Sequence, residues 1–314
     1  MTVVHRARTY SFIIPSYNDA VGLQRHFEYF SKRSEHVELV IVDDHSTDGT
    51  RELVRNTTFP ANVRVNYIRQ SKNRGPAAAR NRGIAAATGD YVMLIDADDI
   101  LADCFFTYIR LSPLENGADV VVFKYHCSTT IDDRYTYRMH DPDNAFFSSL
   151  NNSGFPNGMF QLEELPSVLS IINFPWNKIY RREYLQSSGI AFPEMRMNED
   201  ILPHWHSFMR ARSFGVMAWA PPLITHFEAE GGSRATNYVG PDRLPVFDCL
   251  RELRAEVVGH ASGRVLTAEF ERFTGDFFRW MTDVLCQQPD PKIQEWGDHY
   301  RSEIKRFNRE FERT

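Results

Sequence analysis

Apolar positions in the first third of the chain come in short blocks, separated by polar stretches long enough for helices. The runs YSFIIP, VELVIVDD, VRVNYI, YVMLID and DVVVFKY are β-branched or aromatic and predict strands. Between them, STDGTRELV opens on capping residues, and GPAAARNRGIAAATGD starts with Pro76, runs through alanines and stops near Gly89, so both read as helices. This alternation predicts an α/β domain whose mixed, mainly parallel sheet is covered on both faces. From about residue 126 to 175 the period weakens in a stretch rich in Asn, Ser, Asp, Phe and Pro, which predicts long ordered loops rather than another sheet repeat. After Pro245 helical spacing returns. Phe270, Phe273, Phe277 and Met281 form one stripe, and Ile293, Trp296, Tyr300, Ile304, Phe307 and Phe311 another. The expected division is a large domain over 1–240 and a helical C-terminal extension over 241–314.

Composition narrows the partners. Lys plus Arg number 36 against 41 acidic residues, a near balance that leaves no electrostatic footprint for nucleic acid and no broad attraction to anionic lipid. Cys104, Cys127, Cys249 and Cys286 are far apart, lack CxxC spacing and read as reduced thiols. The sequence shows no signal peptide and no apolar run of bilayer length, so a cytoplasmic protein is the default expectation.

Candidate chemistry sits where strands end. YVMLIDADDI drives an apolar run into Asp96, Asp98 and Asp99. The carboxyl ends of strands in an open α/β sheet are where ligands bind. Burying unpaired carboxylates is expensive, so these meet water or a cation. Asp96 and Asp98 are spaced to share one divalent ion with hard-oxygen ligands, or to form an acidic turn. In VIVDDHSTDGT, Asp43 and Asp44 can accept a hydrogen bond from a base or a ribose hydroxyl, or cap a helix. FPWNKIYRREYL, FPEMRMNEDILPHWHSFMRA and PLITHFEAEGGSRATN mix aromatics with charges, as a lined pocket does.

Taken in order, SFIIPSYND, VELVIVDDHSTDGT, NRGPAAARNRGIAAATGDYVMLIDADD, WNKIYRREYL and NEDILPHWH resemble a family-2 glycosyltransferase of the GT-A fold, over about residues 9–235. The resemblance implies a Rossmann-like, nucleotide-diphospho-sugar transferase domain with a nucleotide-binding half at 1–125 and an acceptor half at 126–240. It implies a metal-dependent, inverting enzyme whose UDP-sugar donor is held by the PSYN loop (Pro15, Ser16, Tyr17, Asn18) and Asp44, with Asn73 and Arg80 nearby. The DxD-type motif falls on Asp96, Ala97 and Asp98. Asp98 would bind Mn²⁺ or Mg²⁺, and Asp96 the ribose or the ion's water shell. The xED motif falls on Asn198, Glu199 and Asp200, which makes Asp200 the general base and Glu199 the residue that orients acceptor or donor sugar. His226 takes the place of a metal-shell histidine, in competition with a structural role and with His204 and His206. GGSRATN would be a lid that brings Ser233 and Arg234 to the diphosphate, or a surface loop. Trp176 is expected on the pocket wall or in the core, and Lys178 or Arg181 near a phosphate.

The implied acceptor is a glycan or lipid-linked glycan of capsule, lipopolysaccharide, teichoic acid or exopolysaccharide type. Residues 292–314 hold six Lys/Arg against five Asp/Glu, so the tail stripe is expected to pack on the core or in a homodimer seam. Peripheral contact with the inner face of the membrane is the other reading. A sugar-phosphate nucleotidyltransferase shares this kind of fold but wants a basic, Gly-rich loop after the first strand, and PSYNDAVGLQ has no Lys or Arg before Arg25. A non-catalytic glycan-binding partner is the third class. Asp96, Asp98, Asp200 and His226 together speak against it.

Overall fold

The computed structural model describes residues 7–128, 139–152, 158–227, 238–285 and 291–311. The chain opens with β1 (Thr9–Ser16), α1 (Ala20–Ser31), β2 (His36–Asp43), α2 (Thr50–Asn56), β3 (Val63–Arg69), α3 (Gly75–Ala86) and β4 (Tyr91–Leu94). β1 lies between β2 and β4 and runs parallel to both, and β3 runs parallel to β2 on the outside. Helices cover this part of the sheet on both faces, so Phe12, Ile13, Ile14 and the whole of Leu39–Val42 are buried; these strands read as continuous apolar runs for that reason. The alanines of α3 let it lie flush on β1. At Gly83 an added Cβ would come 2.2 Å from Ile13 Cγ2.

The chain continues through β5 (Ile100–Leu101), α4 (Phe105–Ile109), β6 (Val120–Phe123), β7 (Tyr125–Ser128), α5 (Asp141–Asn152), β8 (Gly158–Phe160), β9 (Lys178–Arg181), α6 (Arg182–Ser187), α7 (Ile201–Met209), β10 (Phe214–Met217) and β11 (Ile224–Phe227). The large sheet has the order β3-β2-β1-β4-β9-β6-β10-β8, and a small one the order β5-β11-β7. β9 is antiparallel to β4 and β6, and β8 to β10, so the parallel character is purest in the first half.

The loop expectation for 126–175 needs correction, because this stretch contains β7, α5, β8 and a 3₁₀ turn at Pro166–Ser170. The core face of α5 is Phe146, Phe147 and Leu150 among serines and asparagines, too few apolar positions to establish a period.

The C-terminal helices are α8 (Pro245–Gly259), α9 (Gly263–Trp280) and α10 (Pro291–Phe311), with a π-helical turn at Met281–Leu285. α8 packs on α7 and α9, and α10 packs on α8. The middle of the tail stripe packs on its own chain: Tyr300 and Phe307 are buried, Trp296, Ile304 and Phe311 are half-buried, and the ring of Phe307 meets Phe278 edge-on at 5.3 Å. No helix among the described residues is long and apolar enough to cross a membrane. The Tyr300 hydroxyl donates to the Gly240 carbonyl (2.7 Å) and accepts from the Gly240 N–H (2.8 Å). Tyr300→Phe strips both groups of this partner in a buried place and is expected to lower stability by about 2 kcal/mol. The check is a shift in urea midpoint at unchanged slope.

Candidate active site

Loops after β1, β2 and β4 meet at one cleft of about 1980 Å³ at the carboxyl edge of the sheet. The first two loops brace each other. Asn18 (φ +52°) and His45 (φ +70°) take left-handed backbone that asparagine tolerates well. Asn18 Oδ1 accepts from Thr47 N at 2.7 Å, and the Asn18 N–H donates to Ser46 Oγ at 3.0 Å. Pro15, Ser16 and Tyr17 line the cleft, whereas the Asn18 side chain holds the neighbouring loop and does not.

The two acidic residues that close β2 do different work. Asp43 is buried and paired with Tyr67 and Arg69; burial opposes ionisation, but bonds from Tyr67 and Ser46 and the Arg69 charge hold its carboxyl below the usual carboxylate range. Asp44 reaches the cleft with both oxygens engaged. Oδ1 accepts from Arg74 N and Gln70 Nε2 at 2.8 Å each, and Oδ2 from Gly75 N at 2.7 Å. It therefore anchors the start of α3, where Gly75 has φ +85°, and sets the loop on which Asn73 lines the cleft.

Beneath the DADD turn runs α1. An added Cβ on Gly22 would lie 2.3 Å from the Ala97 carbonyl oxygen, and the Nε2–H of His26 donates to the Asp96 carbonyl at 3.1 Å. Burial pushes His26 down to about 4, so it stays neutral near pH 7. Asp96 N donates to Asp99 Oδ2 (3.0 Å) and Asp99 N to the Asp96 carbonyl (3.2 Å), which closes the turn. Asp96, Ala97 and Asp98 are thereby presented on the cleft wall. Gly22→Ala forces the backbone of this turn to move. We expect a loss of roughly 2 kcal/mol, read as a lowered thermal midpoint.

His226, on β11, joins Asp96 and Asp98 on the wall. Asp99 stands behind it, almost fully buried, and its Oδ1 accepts from His226 Nδ1–H at 2.7 Å. Donor atoms of Asp96, Asp99 and His226 all lie within 4.8 Å of one another, compact enough for a cation. Because both Asp99 oxygens are already bonded, its place is to orient the imidazole, as carboxylates behind metal-binding histidines do. Burial raises the Asp99 carboxyl in spite of His226. Burial pulls His226 down, but Asp99 outweighs it and the net shift is upward. Desolvation and the charge of Asp96 raise Asp98. The Trp176 ring stacks on His226 (4.8 Å, 20°) and on Phe174 (4.4 Å, 19°), so it is core and pocket wall at once.

Lys178 departs from expectation. It is buried in β9, does not line the cleft, and donates to the Phe174 carbonyl (2.5 Å) and Asn177 Oδ1 (2.7 Å). Burial lowers it to about 7. Its position supports the loop that carries Trp176, behind the cleft lining. Arg181 is likewise taken, by Asp119. His204 is buried inside α7, and His206 pairs with Glu256 at 3.0 Å.

At the entrance to α7, Asn198 has φ +60°, a conformation that turns Glu199 and Asp200 into the cleft. Arg80, nearly buried, donates to Glu199 Oε1 (2.9 Å) and Asp96 Oδ1 (2.8 Å). Its guanidinium is thus a bridge between two carboxylates, where a nucleotide contact was expected. Burial and then the Glu199 charge raise Asp200 to about 7, against the pull of Arg80 and Lys178. A carboxylate so tuned can take a proton near neutrality. The sequence reading named Asp99 among the three carboxylates but gave it no role of its own, and it missed Gly22 and His26. The third Asp of the DADD run was itself the available signal for Asp99.

The family model for Glycosyl transferase family 2 matches residues 11–189, and the chain belongs to that family. The poly(ribitol-phosphate) beta-N-acetylglucosaminyltransferase TarS of Staphylococcus aureus is 25% identical over 258 residues, which cover 79% of this chain and 40% of TarS. The poly(ribitol-phosphate) beta-glucosyltransferase of Bacillus spizizenii is 22% identical over 306 residues, 94% of this chain and 44% of that protein. The chain thus spans less than half the length of these curated relatives. The crystal structure of S. aureus TarS 1–349 in complex with UDP-GlcNAc aligns with a TM-score of 0.73 at 20% identity, over 95% of this chain and 81% of that one, which shows the shared GT-A fold.

Proposed function

We propose that the protein is a metal-dependent, inverting glycosyltransferase that moves a sugar from a UDP-sugar to a hydroxyl of a cell-surface glycan. The observation that carries this reading is the meeting, in one cleft, of an acidic cluster at the strand ends and Asp200 raised toward neutrality. Among the described residues the cleft is lined by nine carboxylates and five arginines, so a diphosphate would be repelled unless a cation came with it. Asp96 and His226 of the compact group supply a hard oxygen and an imidazole that suit Mn²⁺ or Mg²⁺, with Asp99 fixing the ring; Asp98 lies outside that group but on the same wall, where it would complete the shell. When bound, the ion neutralises charge on the departing diphosphate.

The chain's own groups do the rest. Ser16, Tyr17 and Asn73 frame the nucleotide on a loop shaped by Asp44. Asp200 takes the proton of the acceptor hydroxyl as that oxygen bonds to the anomeric carbon. The bond from this carbon to the diphosphate oxygen breaks and its electron pair leaves with UDP. Attack from the face opposite the leaving group inverts the configuration. Glu199, held by Arg80, orients the sugar. Ser233 and Arg234 lie outside the described residues. UDP is favoured by the relative solved with UDP-GlcNAc. Residues 1–240 would form the transferase unit, with the extension closing one side of the cleft through α9.

The test is UDP release over a panel of UDP-sugars and glycan acceptors with Mn²⁺. A protein that neither binds nor turns over any nucleotide-sugar sinks the reading, and pyrophosphate release from UTP with a sugar phosphate would favour nucleotidyl transfer.

A further inference from the structure

We infer that the acceptor end of the cleft holds a chain of neutral sugar rings stacked along α9, and is not built for a polyanion such as a polyol phosphate. This rests on the transferase reading above and narrows its acceptor. Phe273, Phe277 and Trp280 of α9 are half-buried, seated on the core with a remaining face on the cleft. Spaced at i, i+4 and i+7 they fall on one side of the helix. Their rings follow one another at 6.0 Å (18°) and 5.9 Å (30°), and Trp205 fixes the first at 5.6 Å. A pyranose presents a face of weakly positive C–H groups, which matches the negative face of an aromatic ring.

Charge points the same way. Arg272 is matched by Glu269, Arg196 by Asp242, Arg74 by Glu194, and Arg80 by Asp96 and Glu199. Arg243 donates to the Tyr238 carbonyl (2.6 Å) and Asn198 Oδ1 (3.1 Å), and its guanidinium lies 5.2 Å from the Trp280 ring centre. Among the described residues no lysine lines the cleft. With nine carboxylates against five arginines among these residues, each arginine already partnered, the lining repels a phosphate in every repeat, a repulsion that neutral rings avoid. There is also room: the cleft holds about 1980 Å³, well above the roughly 300–1,000 Å³ of a typical small-ligand site.

The experiment compares neutral hexasaccharides (cellohexaose, chitohexaose, maltohexaose), their monosaccharides and a ribitol-phosphate hexamer. Each is tested as acceptor with the active UDP-sugar, and by calorimetry without donor. At least one neutral hexasaccharide is expected to bind and to show a KM roughly tenfold below its monosaccharide. Trp280→Ala and Phe277→Ala should erase that gain at unchanged UDP affinity, and Trp280→Phe should restore part of it. A ribitol-phosphate hexamer that outperforms every neutral chain, or a Trp280→Ala protein that keeps the length dependence, overturns the inference while leaving the transferase reading intact. Failure of the wild-type protein to bind UDP overturns that reading. Calorimetric binding of the neutral hexasaccharide would then still report on the aromatic wall.

Discussion

Asp200→Asn is expected to cut sugar-transfer turnover by at least roughly a hundredfold while UDP affinity stays near its original value. The amide keeps the shape of the carboxylate but cannot take the acceptor's proton. Asp200 is raised to about 7 by burial and Glu199, so in the parent enzyme kcat should rise with pH up to about 7 and then level off, since only the ionised form is a base. Arg80 opposes the rise, so Arg80→Met should move this limb to higher pH. Near-normal turnover in Asp200→Asn would transfer the base role to Glu199.

Removal of the divalent ion should have an effect of similar size on nucleotide binding. With EDTA, UDP affinity is expected to fall by roughly a hundredfold, because the diphosphate would face Asp96 and Asp98 unscreened. His226→Ala should weaken Mn²⁺ affinity, and excess Mn²⁺ should restore part of the activity. Asp99→Asn should weaken it by roughly 10–100-fold through the misplaced imidazole. Calorimetry of UDP with and without Mn²⁺ decides. Equal affinity in EDTA, or a His226→Ala protein with unchanged metal dependence, removes the ion from these residues.

The strands around β1 were legible because burial on both faces writes a plain apolar run, and the acidic ends of β2 and β4 followed from where those runs stop. Asp96, Asp98, Asp200 and His226 all line one cleft; Asp44 lines it too, but both its oxygens are bonded to Gln70, Arg74 and Gly75 where a contact to the nucleotide was expected. What the chain did not display is which atoms are already spoken for. Asn18 and Arg80 carry the right chemistry for ligands but bond to groups on other loops, Arg80 to Glu199 far along the chain, and Lys178 bonds to Phe174 and Asn177 close by once β9 is buried. Gly22 and His26 read as ordinary helix positions until α1 is laid under the DADD turn. The α9 aromatics gave the right period, but a period cannot tell a core face from a face shared between core and cleft.

The pairing of Tyr300 with Gly240 has a practical side. Tyr238 and Asp242, which flank that glycine, are on the cleft wall, so the last helix is fastened to the rim of the binding site. A chain shortened before Tyr300, or a bulky fusion that peels α10 from α8, would be felt at the mouth of the cleft as a change in ligand affinity.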